Sequence, residues 1–207
     1  MNIVLNPTYF PDIITSAALV QATEVRLEVC DNYQKQSYRN RMYISTSNGT
    51  LLLNIPIKHT KTEGHKKTTN ALIENNFLWQ RQHWRSIVIA YRTSPFFEFY
   101  EDDLYPIFHT PYENLLELNK ATIACILEML DIEIDFTTTA EYKKEYNDQT
   151  DLRFLANAKR KNRLVIPEYR QVFSEENGFT PHLTVLDLIF NLGPEALPYL
   201  QSLDLKF

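Results

Sequence analysis

Glycine is scarce in this 207-residue chain, with four positions in all, Gly49, Gly64, Gly178 and Gly193. They form no G-x-G-x-x-G pattern and no Walker A loop, which speaks against a Rossmann-type dinucleotide site and against a P-loop. A phosphate would have to be held by side chains or by a helix N-terminus. The two cysteines, Cys30 and Cys125, lie too far apart for a closely spaced metal or redox motif. In their apolar surroundings they read as buried thiols of a reducing compartment. No apolar run approaches the roughly 18 residues of a membrane span. Met1 to Pro7 has no basic region ahead of its short apolar run, so a cytoplasmic protein without signal peptide or membrane span is expected. A net charge of −5 argues against a nucleic-acid partner. Ser-His-Asp order, H-E-x-x-H and clustered metal-ligand spacing are all missing, and so are the paired histidines that follow the first strand in adenylyl-transfer proteins. No cofactor and no metal is therefore expected.

Apolar residues are plentiful at 44%, against 23% charged, so the chain should be globular and long enough for a real core. A single domain over residues 1–207 is expected. The 12 Tyr, 12 Phe and 2 Trp serve a core, and would also suit a sugar- or ring-binding cleft.

Ile3-Val4-Leu5 reads as a short buried strand and residues 13–22 as a helix. Between them Pro7 and Pro11 fix φ twice and remove two donors, leaving a stiff strand-to-helix turn around Thr8 and Tyr9. Ligands of open α/β sheets sit beyond such strand ends. The alternative is a proline-stiffened core turn with Tyr9 packed inside. Val25, Leu27 and Val29 alternate with Glu24, Arg26 and Glu28 as in a half-buried strand. Met42–Ile44 and Leu51–Ile57 read as two further strands joined through Asn48-Gly49, a type I′ dipeptide. The lysine-rich stretch 58–70, with His59 and His65, reads as a solvated loop able to close over a ligand.

Helices are predicted for Trp79–Tyr91, for the aromatic segment after Pro95, and for Tyr112–Leu130, whose apolar stripe is the broadest in the chain. Ile132–Thr137 is a plausible last strand, and residues 151–160 read as a helix. Pro167–Phe173 is irregular. The last helix starts at Thr184, with Asp187 as a capping-box variant, and stops at Gly193-Pro194. The fold class is α/β: a mixed sheet near the N-terminus (strand, turn, helix, strand, then a hairpin) covered by several helices, with a helical C-terminal half.

The candidate binding residues cluster in the run Asp31–Arg41, which is polar, aromatic and basic together. Arg39 and Arg41, with Lys35, supply forks and charge for phosphate or carboxylate. Tyr38 and Asn40 can bond hydroxyls or an amide. The competing reading pairs both arginines with structural carboxylates. His83 is a candidate general base because imidazole titrates near neutrality, with Arg92 near the same helix. Asp187 and Asn191 share a helix face and, beside Tyr169 and His182, would complete a pocket. The run Glu98, Glu101, Asp102, Asp103 holds a potential acid–base pair or is simply a solvated face.

These motifs occur in one order. They are Pro7-Thr8-Tyr9-Phe10-Pro11, the run Asn32 to Arg41, Leu53-Asn54-Ile55-Pro56-Ile57, Ala90 to Phe97, Leu118-Asn119, Tyr169-Arg170-Gln171-Val172-Phe173, and Gly178 to Pro194. In that order the chain resembles the WbqC-like family over nearly its whole length. Many relatives carry Trp and then Gly soon after the second proline. Asp12 and Ile14 stand there in this chain, as in a divergent subgroup. The resemblance implies a role in bacterial surface polysaccharide biosynthesis, notably lipopolysaccharide O-antigen. A group transferase acting on a nucleotide-linked amino sugar would satisfy it. So would a non-catalytic assembly protein that partners a pathway enzyme.

Overall fold

The computed structural model describes residues 1–59, 66–160 and 164–207. Strand β1 (Asn2–Leu5) is followed by α1 (Ile13–Gln21) and β2 (Glu24–Leu27). The hairpin β3 (Arg41–Thr46) and β4 (Gly49–Asn54) comes next. Helices α2 (Trp79–Tyr91), α3 (Phe97–His109) and α4 (Leu115–Met129) lead to the short strands β5 (Phe136–Thr138) and β6 (Thr150–Asp151). The chain ends in α5 (Ser174–Asn177), α6 (Val185–Leu192) and α7 (Ala196–Ser202). The mixed α/β class, with an N-terminal sheet, a hairpin and a helical C-terminal half, is as the sequence pattern predicts. None of the described helices is long and apolar enough to cross a membrane.

The main sheet has the order β5-β2-β1-β6 with every neighbour parallel. Ile3 lies beside Val25 and Leu5 beside Leu27, so the apolar positions of β1 and β2 share a face. The chain moves outward from β1 to β2 and β5, then returns to pair β6 with the opposite side of β1. Its direction reverses between β1 and β6, the kind of switch point at which open parallel sheets form a crevice.

The turn after β1 is held from three sides. The Tyr9 N–H donates to the Tyr38 carbonyl at 2.9 Å. Phe10, with φ +42°, donates its N–H to Thr122 Oγ1 of α4 and accepts from Thr184 Oγ1 at 3.0 Å. Positive φ in a bulky residue is unusual, and it turns Tyr9 and Phe10 inward, where both are fully buried. Asp12 then caps α1 by accepting from the Thr15 N–H and hydroxyl, and its other oxygen takes Arg160 at 2.6 Å. Asp12 is thus a buried cap and ion-pair partner.

Several boundaries differ from the sequence reading. In the hairpin Thr46 pairs with Gly49, so the two loop residues are Ser47 and Asn48, and neither has positive φ. Gly49 takes φ +93° one position later, which is a type I turn with a bulge glycine rather than the expected type I′ turn. The strand expected at 132–137 is β5, which starts only at Phe136. The helix expected over 151–160 is replaced by β6 and a 3-10 turn at Arg153–Ala156, because Thr150 and Asp151 find open backbone groups on β1. At the last helix the Thr184 hydroxyl goes to Phe10 and the Asp187 carboxylate points inward, so no capping box forms. Of the 58–70 loop, residues 60–65, including Gly64 and His65, lie outside the described residues. Thr68 is buried and pinned to Asp31.

Gly193 ends α6 at φ +53°, ψ −125°, and a Cβ there would fall 2.5 Å from the Phe96 ring. Only glycine enters that backbone region without strain. Gly193→Ala is expected to cost about 1–3 kcal/mol, a fall of several degrees in Tm by calorimetry. An unchanged melting curve would contradict this packing.

Candidate functional site

All four strands of the main sheet end on the same edge, and the residues that follow them enclose a cavity of about 840 Å³. Asn6 follows β1, while Cys30 and Asp31 follow β2. Ala140, Glu141 and Tyr142 follow β5. Asp151 closes β6, with Arg153, Phe154 and Asn157 just beyond it. Arg39, Asn32, Gln34 and Lys67 come in from the loops on either side of the hairpin.

Asp31 is the hub of the floor. It accepts from Arg39 at 2.5 Å, from the Thr68 hydroxyl at 2.5 Å and from the Asn6 amide at 2.9 Å. The Arg39 side chain is only 3% exposed, and its Nε has no hydrogen-bond partner among the described residues. Tyr33, half-buried, is pushed up to about 12 by burial, with Arg39 and Arg41 pulling the other way, so its hydroxyl sits within their field.

The second wall hangs on Glu28 and Arg153. Glu28 is fully buried and takes four donors: the Cys30 N–H, the Thr139 and Tyr146 hydroxyls, and Arg153. Burial, and then the Glu28 hydrogen bond, push Tyr146 up to about 12. The Arg153 fork grips Asp151 through Nε and NH2, at 2.9 Å and 2.6 Å. It also donates to the Lys143 and Lys144 carbonyls and lies over the Tyr142 and Tyr146 rings. One guanidinium thus binds the irregular segment 140–146 to the sheet edge. At the mouth, Tyr142 and Phe154 are 54% and 44% exposed. Among the described residues the lining holds three cations (Arg39, Lys67, Arg153) and three carboxylates (Asp31, Glu141, Asp151), which balance.

Of the residues singled out from sequence, Arg39 lines this cavity. Thr8 and Tyr9 lie in the core beneath it, and the Tyr9 hydroxyl meets His83 Nδ1 at 3.0 Å. Burial lowers His83 to about 4, against a backbone hydrogen bond to Asn54 that raises it, so the ring is neutral. Tyr38 is buried, with the Arg160 guanidinium over its ring. The Asn40 amide donates to Asn54 Oδ1 and the Ile55 carbonyl, joining the loop to β4. Arg41 opens β3, and Lys35 is exposed. Arg92 lies apart, paired with Glu101 at 3.0 Å and over Phe97.

Tyr169, Asp187 and Asn191 do come together, but in a separate place. The fully buried Asp187 accepts from Tyr91, Tyr169 and Gln171 at 2.9, 2.6 and 2.9 Å, and the Asn191 amide bonds its backbone carbonyl. Burial raises Asp187 above the usual carboxylate range, with those three donors opposing. Neither it nor His83 lines the cleft. The sequence reading passed over Asn6, Tyr142, Asp151, Arg153, Phe154 and Asn157. Asn6, directly after a predicted strand, carried a signal. Those beyond β6 carried none, because a two-residue strand has no period.

A sequence model of the WbqC-like protein family matches residues 7–165. That span takes in Asp31, Arg39 and the Asp151–Asn157 wall and stops short of Tyr169 and Asp187. A curated relative, the uncharacterized protein Rv1507c of Mycobacterium tuberculosis, is 27% identical over 198 residues, covering 82% of this chain and 84% of its own. No solved structure matches the chain.

Proposed function

The chain belongs to the WbqC-like protein family, and from that premise we propose that its strand-edge cleft binds a polyhydroxylated small molecule, a nucleotide-linked sugar. The proposal extends to a group transfer on an amino sugar in bacterial surface polysaccharide metabolism, by a cytoplasmic single-domain protein. The observation that carries it is the cavity itself. Its volume of about 840 Å³ lies in the usual range of small-molecule sites, about 300–1,000 Å³. Asn6, Asn32, Gln34 and Asn157 line it with amides, which both donate to and accept from hydroxyls. The exposed faces of Tyr142 and Phe154 offer the apolar side of a sugar or base a place to stack. In this reading Tyr9, His83 and Asp187 support the interior, and the ligand meets Asn32, Gln34 and Asn157 over a floor fixed by Asn6, Asp31 and Arg39.

A thermal-shift and calorimetry panel of nucleotide sugars, sugar phosphates and free sugars tests it. Binding of at least one nucleotide sugar is expected. Phe154→Ala is expected to weaken that binding about three- to tenfold, the loss of one stacking contact. Phe154 is part-exposed and packs edge-on to Phe207, so the variant should fold. No binding across the panel, or an affinity indifferent to Phe154, would overturn the proposal.

A further inference from the structure

A second hollow of about 430 Å³ adjoins the cleft and shares Ala140 and Glu141 with it. Arg26, Thr137, Thr138, Thr139, Lys143 and Tyr146 complete its described wall. Arg26 and Thr137 are register partners on adjacent parallel strands, so their side chains stand side by side on one face. The two hollows differ in charge. The main cavity balances three cations against three carboxylates, whereas the second sets Arg26 and Lys143 against Glu141 alone.

They differ also in how firmly the cations are held. In the main cavity Arg39 is buried against Asp31, and Arg153 is committed to Asp151, Glu28 and two backbone carbonyls. Drawing either onto a ligand would strip a buried carboxylate of its partner, a costly exchange. Arg26 is 35% exposed, and among the described residues its ion-pair partner is the 72% exposed Asp148, at 4.0 Å. A contact so long and so wet holds a guanidinium weakly. Lys143 is exposed at the same rim.

Resting on the cleft reading above, we infer that the ligand carries a phosphate or diphosphate group and that this group is seated in the second hollow. Arg26 and Lys143 hold it with the Thr137 hydroxyl, which stands on the Arg26 face of the sheet, while the sugar lies in the main cavity. Arg26 supplies a fork for phosphate oxygens and Lys143 a mobile point charge.

The test is calorimetric titration of four probes: uridine diphosphate N-acetylglucosamine, N-acetylglucosamine 1-phosphate, free N-acetylglucosamine and inorganic pyrophosphate. Each is titrated into the wild type, Arg26→Gln/Lys143→Gln and Phe154→Ala. Neither Arg26 nor Lys143 is a core residue, so the double variant should fold. It is expected to lose about tenfold or more in affinity for every phosphate-bearing probe that the wild type binds, most strongly at low salt, and nothing for the free sugar. Phe154→Ala is expected to weaken the sugar-bearing probes and to spare pyrophosphate. A sugar 1-phosphate bound as tightly as the nucleotide sugar assigns a single phosphate to the hollow, and a preference for the latter assigns a diphosphate. Equal affinity of the double variant and the wild type for the phosphate-bearing probes would overturn the inference and leave the cleft reading in place. So would a free sugar that binds as well as its phosphates. No binding of any probe by the wild type would overturn both.

Discussion

Arg39→Ala is expected to destabilise the folded chain by about 3–5 kcal/mol, the range for removing one partner of a buried ion pair. The reason is what stays behind. Asp31 is buried, and without the guanidinium at 2.5 Å its carboxylate keeps, among the described residues, the Asn6 amide and the Thr68 hydroxyl. Two neutral donors do not balance a charge held out of water. In a chain of this length such a loss lowers Tm by about 6–20 °C. Asp31→Asn should act in the same direction, because it orphans the Arg39 guanidinium. Replacing both at once should cost less than the two single changes added together, since the residues are in contact. Chemical denaturation of the four species checks this. A change below about 1 kcal/mol for Arg39→Ala would mean that the pair is solvated and that the floor of the cleft is not built as described.

Acid should destabilise the protein through His83. Burial holds the folded-state value near 4, against an ordinary 6.5. The folded value is depressed, so the unfolded chain takes up the proton first as pH falls. Stability from this residue is complete above about 6.5, declines from there, and is fully lost near 4, by about 3 kcal/mol in all. In the neutral tautomer that leaves Nδ1 bare, Nδ1 accepts from the Tyr9 hydroxyl; protonation reverses that bond, and the cost is a charge held out of water. His83→Gln is expected to be less stable than the wild type at pH 7, with the difference shrinking as pH falls from 7 to 4. Urea titrations at several pH values give it directly. A difference that stays constant over that range would show that the imidazole is already solvated in the folded state.

The parts of the fold that sequence made legible are those with a period. Alternation in Glu24–Val29 marked β2, and the apolar stripe of Leu115, Leu118, Ile126 and their neighbours marked α4. Asp151 stood at the head of a charged, ambiguous stretch that read as a helix. It became a strand because β1 offered it an open edge, a fact about residues some 150 positions away. The site divides in the same way. Arg39 stood out as a guanidinium among aromatics. Thr8 and Tyr9 were placed beside a strand end as the topology requires, but Phe10 at positive φ and the bond from Tyr9 to Tyr38 turn them into the core. The cleft itself is assembled from the ends of four strands far apart along the chain. Arg153 acquires its role only once Tyr142, Tyr146, Glu28 and Asp151 have been brought around it, and no local pattern records that meeting.

Cys30 makes the central claim open to a direct measurement. Its thiol lines the cleft, part-exposed, and donates to the Thr139 carbonyl. Cys125 is buried in the helical layer, and burial pushes its thiol up to about 12, so it should stay silent to a thiol reagent. The rate of iodoacetamide alkylation at Cys30, read by mass spectrometry, should fall saturably as uridine diphosphate N-acetylglucosamine is added. The midpoint should match the affinity from calorimetry. A Cys30 rate unchanged at concentrations where calorimetry shows the protein saturated would place the ligand elsewhere and contradict the account.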